Sequence, residues 1–214
     1  MRIGFFSDTH TQHKWVELLK PVDYLIFAGD GEFRNPGDII SFNEWLGKLK
    51  KHGDIKEALI TSGNHDFYPQ KHLKETKELF TNGVYLQHET YTLSNGMNVY
   101  MSPMSVTFMD WAFMQSEAKL EKDYWSKIPS NTNILVTHSP PYNYLDYDLK
   151  HGYLGSKTLA KRVEELKPKY HVFGHIHRDE GQRRIQETEH TTFVNSSVLE
   201  NRYNIIHDPI IVDV

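Results

Sequence analysis

Short apolar runs, each ending abruptly in polar residues, set the rhythm of this chain. Arg2–Phe6, Tyr24–Ala28, Ala58–Thr61, Ile134–Thr137 and Tyr170–Phe173 are the clearest. Their length and their enrichment in Ile, Val, Phe and Tyr predict buried strands rather than helices. Tyr91–Met101 reads as a hairpin turning at Ser94-Asn95-Gly96, and Thr191–Val194 and Ile210–Val214 read as late strands. Segments with helical period lie between them. From a capping Asp38, the residues Ile39, Phe42, Trp45, Leu46 and Leu49 share one stripe, with Glu44, Lys48 and Lys51 outside it. Leu159, Val163 and Leu166 repeat the stripe up to Pro168, which ends it. Strands alternating with helices first, and hairpins later, predict an α/β or α+β layered sandwich. No linker, repeat or low-complexity tract interrupts the pattern, so residues 1–214 read as a single domain.

Composition narrows the function. Hydrophobic residues make up 38 % and charged residues 24 %, a globular balance. A net charge of -4 argues against a duplex nucleic-acid binder, which carries a basic face. It leaves a small phosphate ester open as a substrate, because metal ions reverse the sign of a local field. With no cysteine, any metal must be held by oxygen and nitrogen. The apolar run Ile3–Phe6 is far shorter than a signal peptide's apolar region or the roughly 20 residues of a membrane span. No membrane association and a cytoplasmic location are the expectation.

The polar tips of the strands carry the chemistry. Arg2–Phe6 runs into Asp8-Thr9-His10, and Tyr24–Ala28 into Gly29-Asp30. Ala58–Thr61 runs into Gly63-Asn64-His65-Asp66, Ile134–Thr137 into His138, and Tyr170–Phe173 into Gly174-His175-Ile176-His177. Ligands of open α/β sheets bind beyond the carboxyl ends of strands, so these ends deliver carboxylate, imidazole and amide groups to one rim. Such a mixture suits Mn²⁺, Fe or Zn²⁺ better than Mg²⁺ or Ca²⁺. Asp8, His10, Asp30, Asn64, His138, His175 and His177 are too many ligands for one ion and suit two sharing a carboxylate. A metal pair clamps both the attacking and the leaving oxygen of an in-line displacement and acidifies a bound water. Two dications, two carboxylates and one hydroxide leave the site at about +1, attractive to a phosphoryl group. His65, beside Asn64, is placed to give a proton to a leaving alkoxide, with Asp66 expected to hold its ring and raise its pKa.

These blocks, in order over residues 1 to 196, resemble the signature of the calcineurin-like metallophosphoesterase superfamily. The resemblance implies a four-layer αββα sandwich, two mixed β-sheets flanked by helices, and a dinuclear centre. Carried over, Asp8, His10 and His177 would hold one metal, and Asn64, His138 and His175 the other. Asp30 would bridge them, and His65 would be the catalytic histidine. Phe42-Asn43-Glu44-Trp45-Leu46-Gly47, Trp111-Ala112-Phe113, Thr137-His138-Ser139-Pro140-Pro141 and Tyr170–His177 are similar to the metallophosphoesterase-domain-containing group related to class III cyclic-nucleotide phosphodiesterases. That likeness implies hydrolysis of small or cyclic-nucleotide-type phosphodiesters, typically with Mn²⁺. Gly31-Glu32-Phe33-Arg34-Asn35 and Met104 depart from the group's usual residues. A phosphomonoesterase or protein phosphatase on the same ligands, and a metal-stabilised interaction protein with low turnover, are the alternatives. For the substrate, Arg34 is expected to reach a phosphate oxygen, and Phe108 and Tyr142 to offer aromatic faces.

Overall fold

The computed structural model describes residues 1–214. The first part of the chain builds one sheet: β1 (Arg2–Phe6), β2 (Val22–Ala28), helix α1 (Pro36–His52), β3 (Ile55–Thr61), α2 (Phe67–Lys71), α3 (Leu73–Leu79) and β4 (Val84–Tyr85). The second part builds another. It comprises β5 (Glu89–Thr92), β6 (Asn98–Ser102), the small pair β7 (Ser105–Val106) and β8 (Met114–Gln115), α4 (Glu117–Asp123), β9 (Ile134–Thr137) and the small pair β10 (Tyr147–Asp148) and β11 (Gly152–Tyr153). Helix α5 (Lys157–Leu166), β12 (Tyr170–Phe173), β13 (Ile185–Glu187) and β14 (Thr192–Asn195) complete it. Finally β15 (Ile210–Asp213) returns to pair antiparallel with β1. The strand orders are β15-β1-β2-β3-β4 and β13-β14-β12-β9-β6-β5.

Alternation along the strands explains the layers. Ile3 and Phe5 of β1, Ile26 and Ala28 of β2 and Leu59 of β3 face the second sheet. They meet Val99, Met101, Ile134, Val136, Val172 and Val194 there. The intervening residues Phe6, Leu25, Phe27, Ala58 and Ile60 turn outward and are covered by Ile39, Phe42, Trp45 and Leu46 of α1. On the far side Tyr100, Leu135, Phe173 and Phe193 are covered by Leu120 of α4 and by Leu159 and Val163 of α5. Strands apolar on both faces therefore sit between a helix layer and a sister sheet, giving helix, sheet, sheet, helix. Each fully buried Phe, Ile, Leu or Val side chain contributes about 1.5–3 kcal/mol.

Local chemistry sets the helix ends. Asn35, rather than the expected Asp38, caps α1: its side chain accepts from the Gly37 N–H at 2.8 Å, and Asp38 accepts from the Asn35 N–H at 3.0 Å. Pro36 needs no N–H partner in the first turn, so the helix begins earlier than its apolar stripe. In α5 the Ser156 side chain accepts from the Leu159 N–H at 3.0 Å, and Lys167 ends the helix in the left-handed conformation just before Pro168. The expected hairpin is β5 and β6, with Gly96 in the turn at φ +85°.

Candidate metal centre

The carboxyl ends of β1, β2, β3, β9 and β12 meet where the two sheets come together. Backbone bonds join them. The Ser7 N–H donates to Ser196 O at 3.0 Å, the Asp8 N–H to Gly29 O at 2.8 Å and the Gly174 N–H to His138 O at 3.0 Å. To turn sharply out of the strands, several site residues occupy the left-handed region: Asp8 at φ +55°, His10 at +39°, Asp30 at +61° and His175 at +68°. Non-glycine residues there are strained, and the surrounding bonds hold them. Gly63 and Gly174 are needed for another reason. A Cβ on Gly63 would lie 2.6 Å from His138 Nδ1, and one on Gly174 would run into the Asp8 carboxylate and Ser7.

All seven ligand residues foreseen from the strand ends come together. Asp8, His10 and His177 form one group, and Asp30, His138 and His175 another, the candidate ligand atoms of each lying within 4.8 Å of one another. Asn64 joins the second, its Oδ1 3.0 Å from His138 Nε2. Asp30 lies between the groups. Its Oδ1 accepts from the His65 N–H at 2.8 Å. Its Oδ2 is 3.2 Å from His138 Nε2 and 3.7 Å from His10 Nε2. The Asp8 carboxylate accepts from Ser7 Oγ and from the His175 N–H at 3.0 Å, and it lies 3.8 Å from His177 Nε2. Asp8, Asp30, Asn64 and His138 are almost entirely buried.

Hydrogen bonds behind the histidines decide which nitrogen faces inward. His138 Nδ1 donates to Ala28 O at 2.9 Å, and His10 Nδ1 donates to Glu32 Oε2 at 2.7 Å. Each ring then presents Nε2 to the centre. His10 Nε2 is buried with no hydrogen-bond partner, and His138 Nε2 faces two oxygen acceptors. Such inward lone pairs fit divalent cations: Asp8, His10 and His177 would hold one, Asn64, His138 and His175 the other, with Asp30 between them. Without cations, protons do part of that work. Burial alone would raise Asp30, but His138, His65 and His10 hold its carboxyl far below the usual range. Burial pushes His138 down, yet Asp30 outweighs it and lifts the ring to about 9. His175 is pushed down to about 3, by burial first and then by His138.

His65 lies at the open side of the centre. Its Nε2 is 4.0 Å from Asp30 Oδ2, and its ring meets Trp111 edge-on with centroids 3.8 Å apart. Asp66 does not hold that ring. Its carboxylate instead accepts the backbone N–H groups of Gly63 at 2.7 Å, Phe33 at 2.8 Å and Asp30 at 3.0 Å. These three donors have no other partner in the turn, so the side chain points back into the loop, away from the cleft. His65 is consequently not raised: burial lowers it to about 4, with Asp30 opposing.

A cleft of about 900 Å³ opens over the two candidate ligand groups, bordered by His65, Phe108, Trp111, His177, Arg202 and Tyr203. The Phe108 ring is 5.6 Å from that of His175, and Arg34 shares a smaller cavity with His65, Phe67 and Trp111. Tyr142 is not in the cleft. Pairing of Pro141 with Ser156 draws its loop onto the start of α5, and its ring packs against Tyr153 beneath Lys157. Two neighbours escaped the sequence reading. Glu32 supports His10, and Tyr203 meets the rings of His10 and His177 edge-on, at 4.9 Å from each. A charged residue just beyond the Asp30 strand end was a usable signal for Glu32; nothing near Tyr203 in the sequence marks it.

No helix is long and apolar enough to cross a membrane. In shape the chain matches a crystal structure from Thermus thermophilus with a TM-score of 0.65, over 93 % of this chain and 89 % of that one at 14 % identity, which establishes likeness of fold. Metallophosphoesterase domain-containing protein 1 of Homo sapiens is 33 % identical, over 97 % of this chain and 69 % of its own length. A Caenorhabditis elegans relative is 31 % identical, over 100 % of this chain and 81 % of its own length. The family model described as calcineurin-like phosphoesterase matches residues 1–179, a span that takes in all five polar strand ends. Sequence, layer order and inward-facing ligands thus agree, and the chain belongs to the calcineurin-like phosphoesterases, metal-dependent hydrolases of phosphate esters.

Proposed function

We propose that this phosphoesterase hydrolyses small phosphodiesters, including cyclic-nucleotide-type ones, with Mn²⁺ as its working metal and His65 as the proton donor to the leaving oxygen. The observation that carries this reading is the position of His65 at the mouth of two ligand groups that share Asp30. Bound cations would supply an acidified water and neutralise charge on the phosphoryl oxygens. The protein's own groups do the rest. His65 faces the space above Asp30 Oδ2, and the edge of Trp111 fixes its ring. An arriving phosphate anion favours the imidazolium form by charge attraction, and the ring can then pass its proton to a departing alkoxide. Arg34 lines the same small cavity as His65, and its guanidinium would meet a phosphate oxygen there. Phe108 and Trp111 offer apolar faces, and the cleft has room for organic groups on both sides of a phosphorus. That room admits a diester.

The test compares bis-p-nitrophenyl phosphate with p-nitrophenyl phosphate on the Mn²⁺-loaded protein, followed by a panel of 2′,3′- and 3′,5′-cyclic nucleotides. The diester is expected to be cleaved faster, and a strong preference for the monoester refutes the specificity. His65→Ala is expected to lower turnover by roughly 10²–10⁴-fold while metal content holds. An unchanged rate removes His65 from the mechanism.

A further inference from the structure

Glu32 stands in the loop after β2, two residues beyond Asp30. Its backbone lies in the left-handed region at φ +65°, which a glutamate keeps only when its surroundings hold it there. The carboxylate is shared out. Oε2 accepts from His10 Nδ1 at 2.7 Å, while Oε1 pairs with the Arg34 guanidinium and lies 4.0 Å from His65 Nδ1. On the other edge of the His10 ring, the buried Nε2 has no hydrogen-bond partner and faces Asp30 Oδ2 at 3.7 Å.

The two ligand groups solve the same problem differently. Behind His138 the acceptor is a backbone carbonyl, Ala28 O. Behind His10 it is a side chain that a single substitution removes. A carboxylate accepting Nδ1–H fixes the tautomer, aims the Nε2 lone pair and makes it a stronger donor. Resting on the metal-centre reading above, we propose that Glu32 is a positioning residue that locks His10 as an Nε2 ligand for one of the two cations. Through its second oxygen the same carboxylate fastens Arg34 beside His65, so one side chain aligns a ligand and the substrate margin together. The other cation, held by Asn64, His138 and His175, does not depend on it.

Titrating the metal-free full chain with Mn²⁺, by calorimetry and by loss of the free-ion paramagnetic signal, tests this without reference to turnover. The wild type is expected to take up two equivalents. In Glu32→Ala one equivalent weakens by roughly 10–100-fold and the other keeps its affinity. Glu32→Gln, whose amide oxygen still accepts from Nδ1–H, recovers part of the loss. Both variants melt with the wild type in chelator, which separates positioning from folding. Wild-type affinity at both equivalents in Glu32→Ala overturns the proposal, as does equal weakening of both, or a Gln variant no better than Ala. A wild type that takes up no metal overturns the metal-centre reading itself, and the role of Glu32 with it.

Discussion

Replacing His171 by Phe is expected to reverse the order of stability between pH 8 and pH 5. His171 lies on β12 with its ring fully buried, 5.2 Å from Phe173 and 5.9 Å from Phe193. Its Nε2–H donates to Thr137 Oγ1 at 2.9 Å, and that hydroxyl gives its own proton to Ser139 O. Nδ1 has no partner, so an added proton there would be a buried charge with nothing to receive it. Burial accordingly pushes the ring down to about 3, from an ordinary 6.5. The unfolded chain takes its proton near the ordinary value, whereas the folded chain waits until about 3. The neutral ring's stabilisation is therefore complete above the ordinary value and drains away as the pH falls toward the folded one. At pH 5 the loss is about 2 kcal/mol, from roughly 1.5 pH units at about 1.4 kcal/mol each. Phe keeps the ring's shape and removes the titration, while losing a hydrogen bond worth about 1 kcal/mol. The variant should thus be about 1 kcal/mol less stable than the wild type at pH 8 and about 1 kcal/mol more stable at pH 5. Urea unfolding of both metal-free proteins, followed by tryptophan fluorescence, measures the difference. A difference that stays constant across this range refutes the argument from burial.

Asp66→Ala would leave the N–H groups of Gly63, Phe33 and Asp30 without their acceptor. At about 1–3 kcal/mol for each buried donor, a loss of at least ~3 kcal/mol is expected, read from the urea midpoint. A loss of turnover at unchanged stability would instead return Asp66 to the role of holding His65. Chelation is expected to lower the melting temperature, because removing cations unmasks clustered buried ligands. At a free metal concentration 100 times Kd each site contributes about 2.7 kcal/mol, and calorimetric scans with and without Mn²⁺ check this.

The strand ends were readable because a strand buried on both faces needs a continuous apolar run, against which Asp8, Asp30, Asn64, His138 and His175 stand out. Residues acting through the backbone were not. Asp66 looked like a partner for His65 because the two adjoin in sequence, but three unmet N–H groups claimed its carboxylate. Local pairing of Pro141 with Ser156 likewise turned Tyr142 outward. Tyr203 depends on how separate loops fold against His10, a relation that no spacing encodes, whereas Glu32, two residues past Asp30, carries a local signal. The start of α1 was misplaced because its apolar stripe begins after Asn35 and Pro36 have already begun the helix.

Asp8, His10, Asp30 and Asn64 come from one sheet, and His138, His175 and His177 from the other. A half-assembled molecule with only the first sheet in place would own the carboxylates but none of the second sheet's imidazoles. Cations held by ligands from both sheets would find their full set only after the halves have docked, and would act as a rivet across the seam. Metal supply would govern how long the finished molecule lasts rather than how fast it forms, since contacts absent from the folding barrier slow only the way out.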